Sequence, residues 1–376
     1  MPQHPVLVVG GCGFIGYHVV RYFVETPEFS PVSVLSRSAL QAVNKVDGAV
    51  YVAGDLSDEK TIQFALQQLH PTVIVHAATP SPITGTPKEY QRIAVDGTKT
   101  LLKLATDSAS VRVLIYTSSS TIAKGREHLN LDEDTPLADT DPKASPYART
   151  KAIAEHMVLD ANNPFTEPSH DQDWSGHLCT GALRFPICYG THDTLTIPGY
   201  LLALKKGQAG FQLGKGGNLW DYCSTDNVGS AHVLLAQALL ANGGNQVQVA
   251  GEAFNIHDGQ TRAFWGFANA VWKLAGHKQS SDRVIRIPVR FVSALAVTLE
   301  YVFLACTFGK KRPQMLGKQQ VEYSCYTHTY DISKAKTKLG YVPRQEFEID
   351  LAKAVAWSLE HDGWAKRLNI SGISAS

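Results

Sequence analysis

An α/β protein with a doubly wound parallel sheet is what this 376-residue chain encodes, on three grounds. Short apolar, β-branched runs alternate with helix-length segments through its first half. A glycine-rich turn separates the first run from the first helix. The composition, 44% hydrophobic and 18% charged, is globular and not that of a disordered chain. At roughly 100–200 residues per domain, the length suits two lobes or one extended domain. Lysine plus arginine total 35 against 34 for aspartate plus glutamate, so no general basic field exists to hold nucleic acid. Cys12, Cys179, Cys188, Cys223, Cys306 and Cys325 form neither a Cys-x-x-Cys pair nor a zinc-spaced cluster, and a reduced, intracellular, metal-free protein is expected. Residues 1–5 are polar, and Val6–Val9 is too brief for the apolar core of a secretory signal.

Val6–Val9 reads as a strand buried on both faces, and residues 17–25 as a helix that Pro27 helps to end. Strands follow at 32–35, Ala49–Ala53, Val73–His76, 111–117 and 182–185, with helices at 58–69, 90–108 and 146–159. That alternation means a parallel sheet covered by helices on both sides. Residues 162–176 are hydrophilic and read as a surface insertion. Beyond Tyr189 the pattern loses its regularity. Residues 1–190 are therefore expected to form a Rossmann-type nucleotide-binding domain, and 191–376 a smaller mixed substrate lobe, some segments of which return to the first domain.

Gly10-Gly11-Cys12-Gly13-Phe14-Ile15-Gly16 stands between the first strand and the first helix. Glycines there let the backbone approach a pyrophosphate, whose charge the helix N-terminus favours. An NAD-binding unit places an acidic residue at the end of the second strand, to hold ribose hydroxyls. Here Ser36 and Arg37 occupy that position. Loss of the carboxylate and gain of a guanidinium favour a 2′-phosphate, hence NADP over NAD, unless Arg37 is an ordinary solvated arginine.

Tyr147-Ala148-Arg149-Thr150-Lys151 opens a helix and puts phenol and ammonium one turn apart on one face. A phenol with an ordinary pKa near ~10 needs neighbouring positive charge to serve as a base. Tyr116-Thr117-Ser118-Ser119-Ser120 closes a strand at the edge from which a hydroxyl reaches the same reacting oxygen.

With these residues in this order, the chain resembles the extended short-chain dehydrogenase/reductases. Within them it resembles the 3β-hydroxysteroid dehydrogenase family, closest to the sterol-4α-carboxylate 3-dehydrogenases (decarboxylating). The resemblance extends through Gly54-Asp55-Leu56, His76-Ala77-Ala78-Thr79-Pro80, Ala154-Glu155, Phe211-Gln212-Leu213-Gly214, Gly251-Glu252-Ala253-Phe254-Asn255 and Tyr330-Asp331-Ile332-Ser333-Lys334. It implies Tyr147 as proton acceptor and Lys151 as the partner that lowers its pKa and holds the nicotinamide ribose. Asp55 and Leu56 would border the adenine, and Ala77 and Ala78 the phosphates and ribose. Counting from the strand end makes Ser119 the catalytic serine, whereas counting back from Gly125 makes it Ser120. Two further departures stand out: Ala94 replaces an asparagine common in the family, and Lys124 replaces an aromatic.

The implied reaction is NAD(P)-dependent oxidation of the 3β-hydroxyl of a sterol or related terpenoid, with loss of an adjacent 4-carboxylate as CO2. The alternative is an NADPH-dependent ketoreductase of a specialised pathway. Either substrate is lipophilic. Residues 289–308, flanked by Lys310-Lys311-Arg312, read either as an interfacial helix or as a core helix of the second lobe, and Glu300 counts against a full membrane crossing. Peripheral membrane contact through 289–312, a cytoplasmic or endoplasmic-reticulum-surface location and a homodimer are compatible with this reading.

Overall fold

The computed structural model describes residues 3–42, 44–165, 172–241, 249–278, 284–306 and 318–370. Its centre is a seven-stranded sheet, every pair of neighbours parallel. The strands are β1 (Val6–Val9), β2 (Val32–Ser36), β3 (Ala49–Ala53), β4 (Val73–His76), β5 (Val113–Ser119), β6 (Cys179–Phe185) and β7 (Glu252–Asn255), in spatial order 7-6-5-4-1-2-3. Side chains alternate between the faces, as a period of two requires. Val6, Val8, Val34 and Val75 pack with residues of α1 (Phe14–Val24) and α5 (Thr225–Leu240). Leu7, Val9, Leu35 and Ile74 pack with α2 (Glu59–Leu69), α3 (Gly97–Thr106) and α4 (Pro146–Asp160).

Helices begin where the chain offers caps. The Asp58 side chain accepts from the Lys60 amide at 3.1 Å, and Ser145 accepts from Ala148 at 3.1 Å with Pro146 in the first helical position. α1 starts three residues earlier than expected because the glycine turn runs directly into it. The stretch read as one helix over 90–108 is two, a π-helical segment Tyr90–Asp96 and then α3. β5 lies two residues later than expected, which makes Ser119 its last residue. β6 begins three residues earlier, at Cys179.

The chain beyond Tyr189 builds a cap and also returns α5 and β7 to the sheet. The cap holds a four-stranded sheet of Arg262–Ala263, Leu219–Trp220, His328–Tyr330 and His128–Leu131. Its apolar core is aromatic, with Tyr222 stacked on Phe267 at 4.1 Å beside Tyr189 and Phe347. Of the expected insertion at 162–176, residues 166–171 lie outside the described residues. Trp174, just beyond, is buried against Phe165 and the Arg112 guanidinium, so that part is anchored and not surface.

The helix Val289–Cys306 is not a core helix. Val292 and Ala296 are buried with Val321, but Phe291, Leu295, Tyr301 and Val302 are exposed, Phe291 by 66% and Tyr301 by 71%. No helix among the described residues is long and apolar enough to cross a membrane. Lys310, Lys311 and Arg312 fall outside the described residues.

One ion pair fastens α4 to the sheet. Arg184 on β6 donates from Nε to Glu155 Oε1 at 2.9 Å and from Nη2 at 2.6 Å, and from Nη1 to the Glu133 carbonyl at 3.0 Å. The Glu155 side chain has no exposed surface and that of Arg184 only 7%. Removing one member of such a pair leaves a buried charge, whereas removing both does not. Arg184→Met is expected to lower the unfolding free energy in urea by about 3–5 kcal/mol, and adding Glu155→Leu to restore much of it. Additive losses in the double variant would show that the two side chains do not depend on each other.

Candidate active site

The turn after β1 is shaped by close approach. Gly10 has φ +91°, and a Cβ there would lie 2.7 Å from the Ala78 backbone. A Cβ on Gly16 would lie 2.2 Å from the Gly10 carbonyl oxygen. At Gly13, which is exposed, a Cβ would meet only that same oxygen, at 3.4 Å, so ground is open in front of the α1 N-terminus that Phe14 and Ile15 begin. The turn thus fits a dinucleotide's pyrophosphate, with Ala77 and Ala78 across from it at the end of β4.

At the neighbouring strand end, Ser36 Oγ lies 3.2 Å from Ser38 Oγ, and Arg37 is exposed. The field of Arg37 reaches the carboxylates of Asp55 and Glu89. Partial burial acts to raise the Asp55 carboxyl, but hydrogen bonds from the Ser57 amide and hydroxyl, at 2.9 and 2.8 Å, keep it below its ordinary value. Leu56 is buried beneath it.

Ser119, Tyr147 and Lys151 meet at the ends of β5 and α4. The Tyr147 hydroxyl is near enough to the Ser119 side chain to be influenced by it. Ser119 Oγ lies 2.9 Å from Thr121 Oγ1 and accepts from the Thr121 amide at 3.3 Å, which orients it. Ser120 is buried, and its hydroxyl makes no hydrogen bond. The Lys151 ammonium is buried, donates to the Thr117 carbonyl at 2.6 Å and rests over the Tyr116 ring at 4.4 Å.

Burial, with Tyr323 adding to it, holds the Tyr147 phenol above its ordinary value against the lowering influence of Ser119. Burial brings Lys151 down to about 7, and Glu155 one turn further along α4 opposes that shift. The phenol is therefore protonated and the ammonium close to its midpoint at neutral pH.

Sequence reasoning missed several residues of this site. Tyr90 packs edge-on against Tyr147 at 5.9 Å, and Tyr323 and Cys188 are near enough to influence its phenol. Nothing local in the sequence links these positions. Arg184, by contrast, interrupts a buried apolar strand and signals a buried partner. At Ala94 no asparagine is needed to tie the helix to the sheet: Thr98 Oγ1 donates to the Ala94 carbonyl at 2.6 Å and lies 2.9 Å from His76 Nε2 on β4. Lys124 is exposed and solvated.

Comparison with known proteins follows the same lines. The chain matches the 3-beta hydroxysteroid dehydrogenase/isomerase family over residues 7–288. It is 32% identical over 360 residues to the sterol-4-alpha-carboxylate 3-dehydrogenase, decarboxylating, of Schizosaccharomyces pombe, covering 95% of this chain and 98% of that protein. Its identity to the mouse enzyme of the same name is 26% over 336 residues, 89% and 86% of the two chains. In fold it is similar to the Bordetella bronchiseptica enzyme WbmH, solved with NAD+, with a TM-score of 0.69 at 15% identity over 96% and 99% of the chains. A dTDP-glucose 4,6-dehydratase of Bacillus anthracis, solved with NAD, aligns with a TM-score of 0.65 at 19% identity over 97% and 100%. A parallel sheet with a dinucleotide turn, a Ser-Tyr-Lys cluster and a match across three-quarters of its length make this chain a member of the 3-beta hydroxysteroid dehydrogenase/isomerase family.

Proposed function

We propose that the protein oxidises the 3β-hydroxyl of a sterol 4-carboxylate with NAD(P)+, and that the resulting β-keto acid loses CO2. The observation that carries the reaction type is the juxtaposition of Ser119 and Tyr147, with Lys151 one turn away. Near-full-length similarity to decarboxylating sterol dehydrogenases supports the substrate class. An oxidised dinucleotide would be held by Gly10–Gly16, Asp55, Leu56, Ala77, Ala78 and Lys151, and would supply the hydride acceptor and a positive charge. Tyr147 Oη receives the hydroxyl proton as phenolate, a form that the Lys151 ammonium, whose discharge by burial Glu155 opposes, stabilises. Ser119 donates a hydrogen bond to the oxygen as it becomes a carbonyl. On loss of the carboxylate, the electron pair left at the adjacent carbon delocalises onto that same oxygen. Ser119 and the newly protonated Tyr147 both donate to it, so no separate decarboxylation machinery is required.

A second reading, reduction of a ketone by NADPH, draws on Ser36 and Arg37, which favour the phosphorylated dinucleotide. Membrane contact is part of the main proposal. A sterol dissolves in bilayers, and the apolar side chains exposed along Val289–Cys306 suit insertion of one helix face into the headgroup boundary of an endoplasmic-reticulum-type surface.

A cofactor-coupled absorbance assay of 4-carboxysterols, simple 3β-hydroxysterols and nucleotide sugars, with NAD and with NADP, tests the function. Turnover confined to nucleotide sugars would reject it. Tyr147→Phe should abolish turnover while cofactor affinity stays within a few-fold, and Ser119→Ala should slow the rate far more than Ser120→Ala. Equal effects of the two serine variants would move the catalytic hydroxyl. Arg37→Ala with Ser36→Asp should shift preference from NADP to NAD, because a carboxylate repels the 2′-phosphate and binds ribose hydroxyls. No shift would make Arg37 a surface residue. Phe291→Asp with Tyr301→Asp should lower vesicle partitioning by at least about a hundredfold, since each buried apolar side chain contributes ~1.5–3 kcal/mol. Equal sedimentation of variant and wild type would exclude this helix as the contact.

A further inference from the structure

Tyr147 is the second residue of α4, and a helical side chain leans toward its helix N-terminus. No turn of α4 lies beneath it there, and the residue is partly exposed, as a base that meets a substrate must be. The orientation of its ring therefore depends on a wall from elsewhere in the chain. Tyr90 supplies one. The two ring centroids are 5.9 Å apart with the planes at 67°, the edge-to-face arrangement that aromatic quadrupoles favour. Tyr90 is itself only 3% exposed.

Tyr90 is held both at the tip of its side chain and along its backbone. Its hydroxyl donates to the Ser81 carbonyl at 2.6 Å, an oxygen that also accepts from the Gly85 amide at 2.9 Å. The loop that these residues make lies flat on the phenol, since a Cβ at Gly85 would come within 2.7 Å of Tyr90 Cζ and Oη. On the backbone side, Tyr90 opens the π-helical segment Tyr90–Asp96, a geometry frequent at functional sites. Just before it, Thr86 Oγ1 accepts from the Glu89 amide at 3.3 Å and Glu89 Oε2 from the Thr86 amide at 2.8 Å. Two residues beyond it, Arg92 Nη1 donates to Ser57 Oγ at 3.1 Å, next in the chain to Asp55 and Leu56.

We propose that Tyr90 is a positioning residue, whose ring holds the Tyr147 phenol in the orientation from which it takes the substrate proton. The proposal rests on Tyr147 as the proton acceptor. Proton transfer requires the phenol oxygen within hydrogen-bond reach of the reacting oxygen, and a misplacement of about 1 Å costs on the order of a hundredfold in rate. The ring contact acts on that step alone. Tyr90 therefore governs kcat, whereas the glycine turn and the residues that border the cofactor govern dinucleotide affinity.

The test is steady-state kinetics at saturating dinucleotide, with the substrate that the wild type turns over, and dinucleotide affinity read separately from the fluorescence of the reduced form. Tyr90→Leu and Tyr90→Met both remove the ring, the flexible methionine serving where leucine does not fold, and Tyr90→Phe keeps it. The expected result is a kcat at least about tenfold lower in the ringless variants, with substrate KM and dinucleotide Kd within about threefold of wild type. Tyr90→Phe should restore kcat to within about threefold of wild type, because the ring remains. Ringless variants as fast as wild type, Tyr90→Phe as slow as Tyr90→Leu, or losses confined to KM and Kd would overturn the proposal. So would failure of both ringless variants to fold, which would make Tyr90 a core residue and nothing more. Tyr147→Phe is assayed alongside. Turnover by that variant rejects the acceptor role itself, whereas its inactivity together with a fully active Tyr90→Leu rejects only the positioning role.

Discussion

Glu155 and Arg184 see almost no water, and the placement of the active site depends on how they satisfy each other. Arg184 is paired across the sheet with Ser118, one residue before Ser119. Glu155 lies one turn beyond Lys151 and two beyond Tyr147 on α4. The ion pair therefore sets the spacing between the strand end and the helix, the spacing over which Ser119 and Tyr147 face each other. A buried carboxylate or guanidinium without a partner is costly, so each fixes the other, and the third guanidinium contact, to the Glu133 carbonyl, brings in the loop beyond β5.

The same carboxylate acts electrostatically. Burial alone would discharge Lys151, and Glu155 opposes this, leaving the ammonium near its midpoint at neutral pH. Tyr147 experiences the reverse, since burial favours its neutral form. The arrangement is a proton-transfer pair held short of ionisation, in which added positive charge beside the phenol moves the balance toward phenolate. Tyr90, Tyr323 and Cys188 provide the low-dielectric walls that make such a charge effective.

How much of this could be read in the sequence differs from element to element. Val6–Val9 and Val73–His76 have the expected bounds, because β-branched runs in a parallel sheet are buried on both faces and end at polar or glycine residues, and the part-exposed edge strand Ala49–Ala53 also has them, ending at Gly54. α2 and α4 begin where Asp58 and Ser145-Pro146 announce them. The π-helical turn at Tyr90–Asp96 carries no local signal. Nor does the register of Ser119, which depends on β5 running two residues past the expected end. The Val289–Cys306 helix is apolar nearly all round, so its sequence does not say which face is covered. Contact with Val321, more than twenty residues beyond its middle, decides that. The chemistry of Ser119, Tyr147 and Lys151 groups them in the sequence, and they are neighbours in the fold. Arg184 and Tyr323 reach the site through long-range packing that no spacing rule encodes.

The central claim, that this site removes hydride from a carbinol carbon and leaves a β-keto acid, is tested most directly with a 4-carboxysterol deuterated at C3. The account predicts deuterium in the reduced cofactor, a slower rate than with the protiated substrate, and one CO2 released per cofactor reduced. CO2 release without cofactor reduction, or cofactor reduction that carries no deuterium, would contradict it.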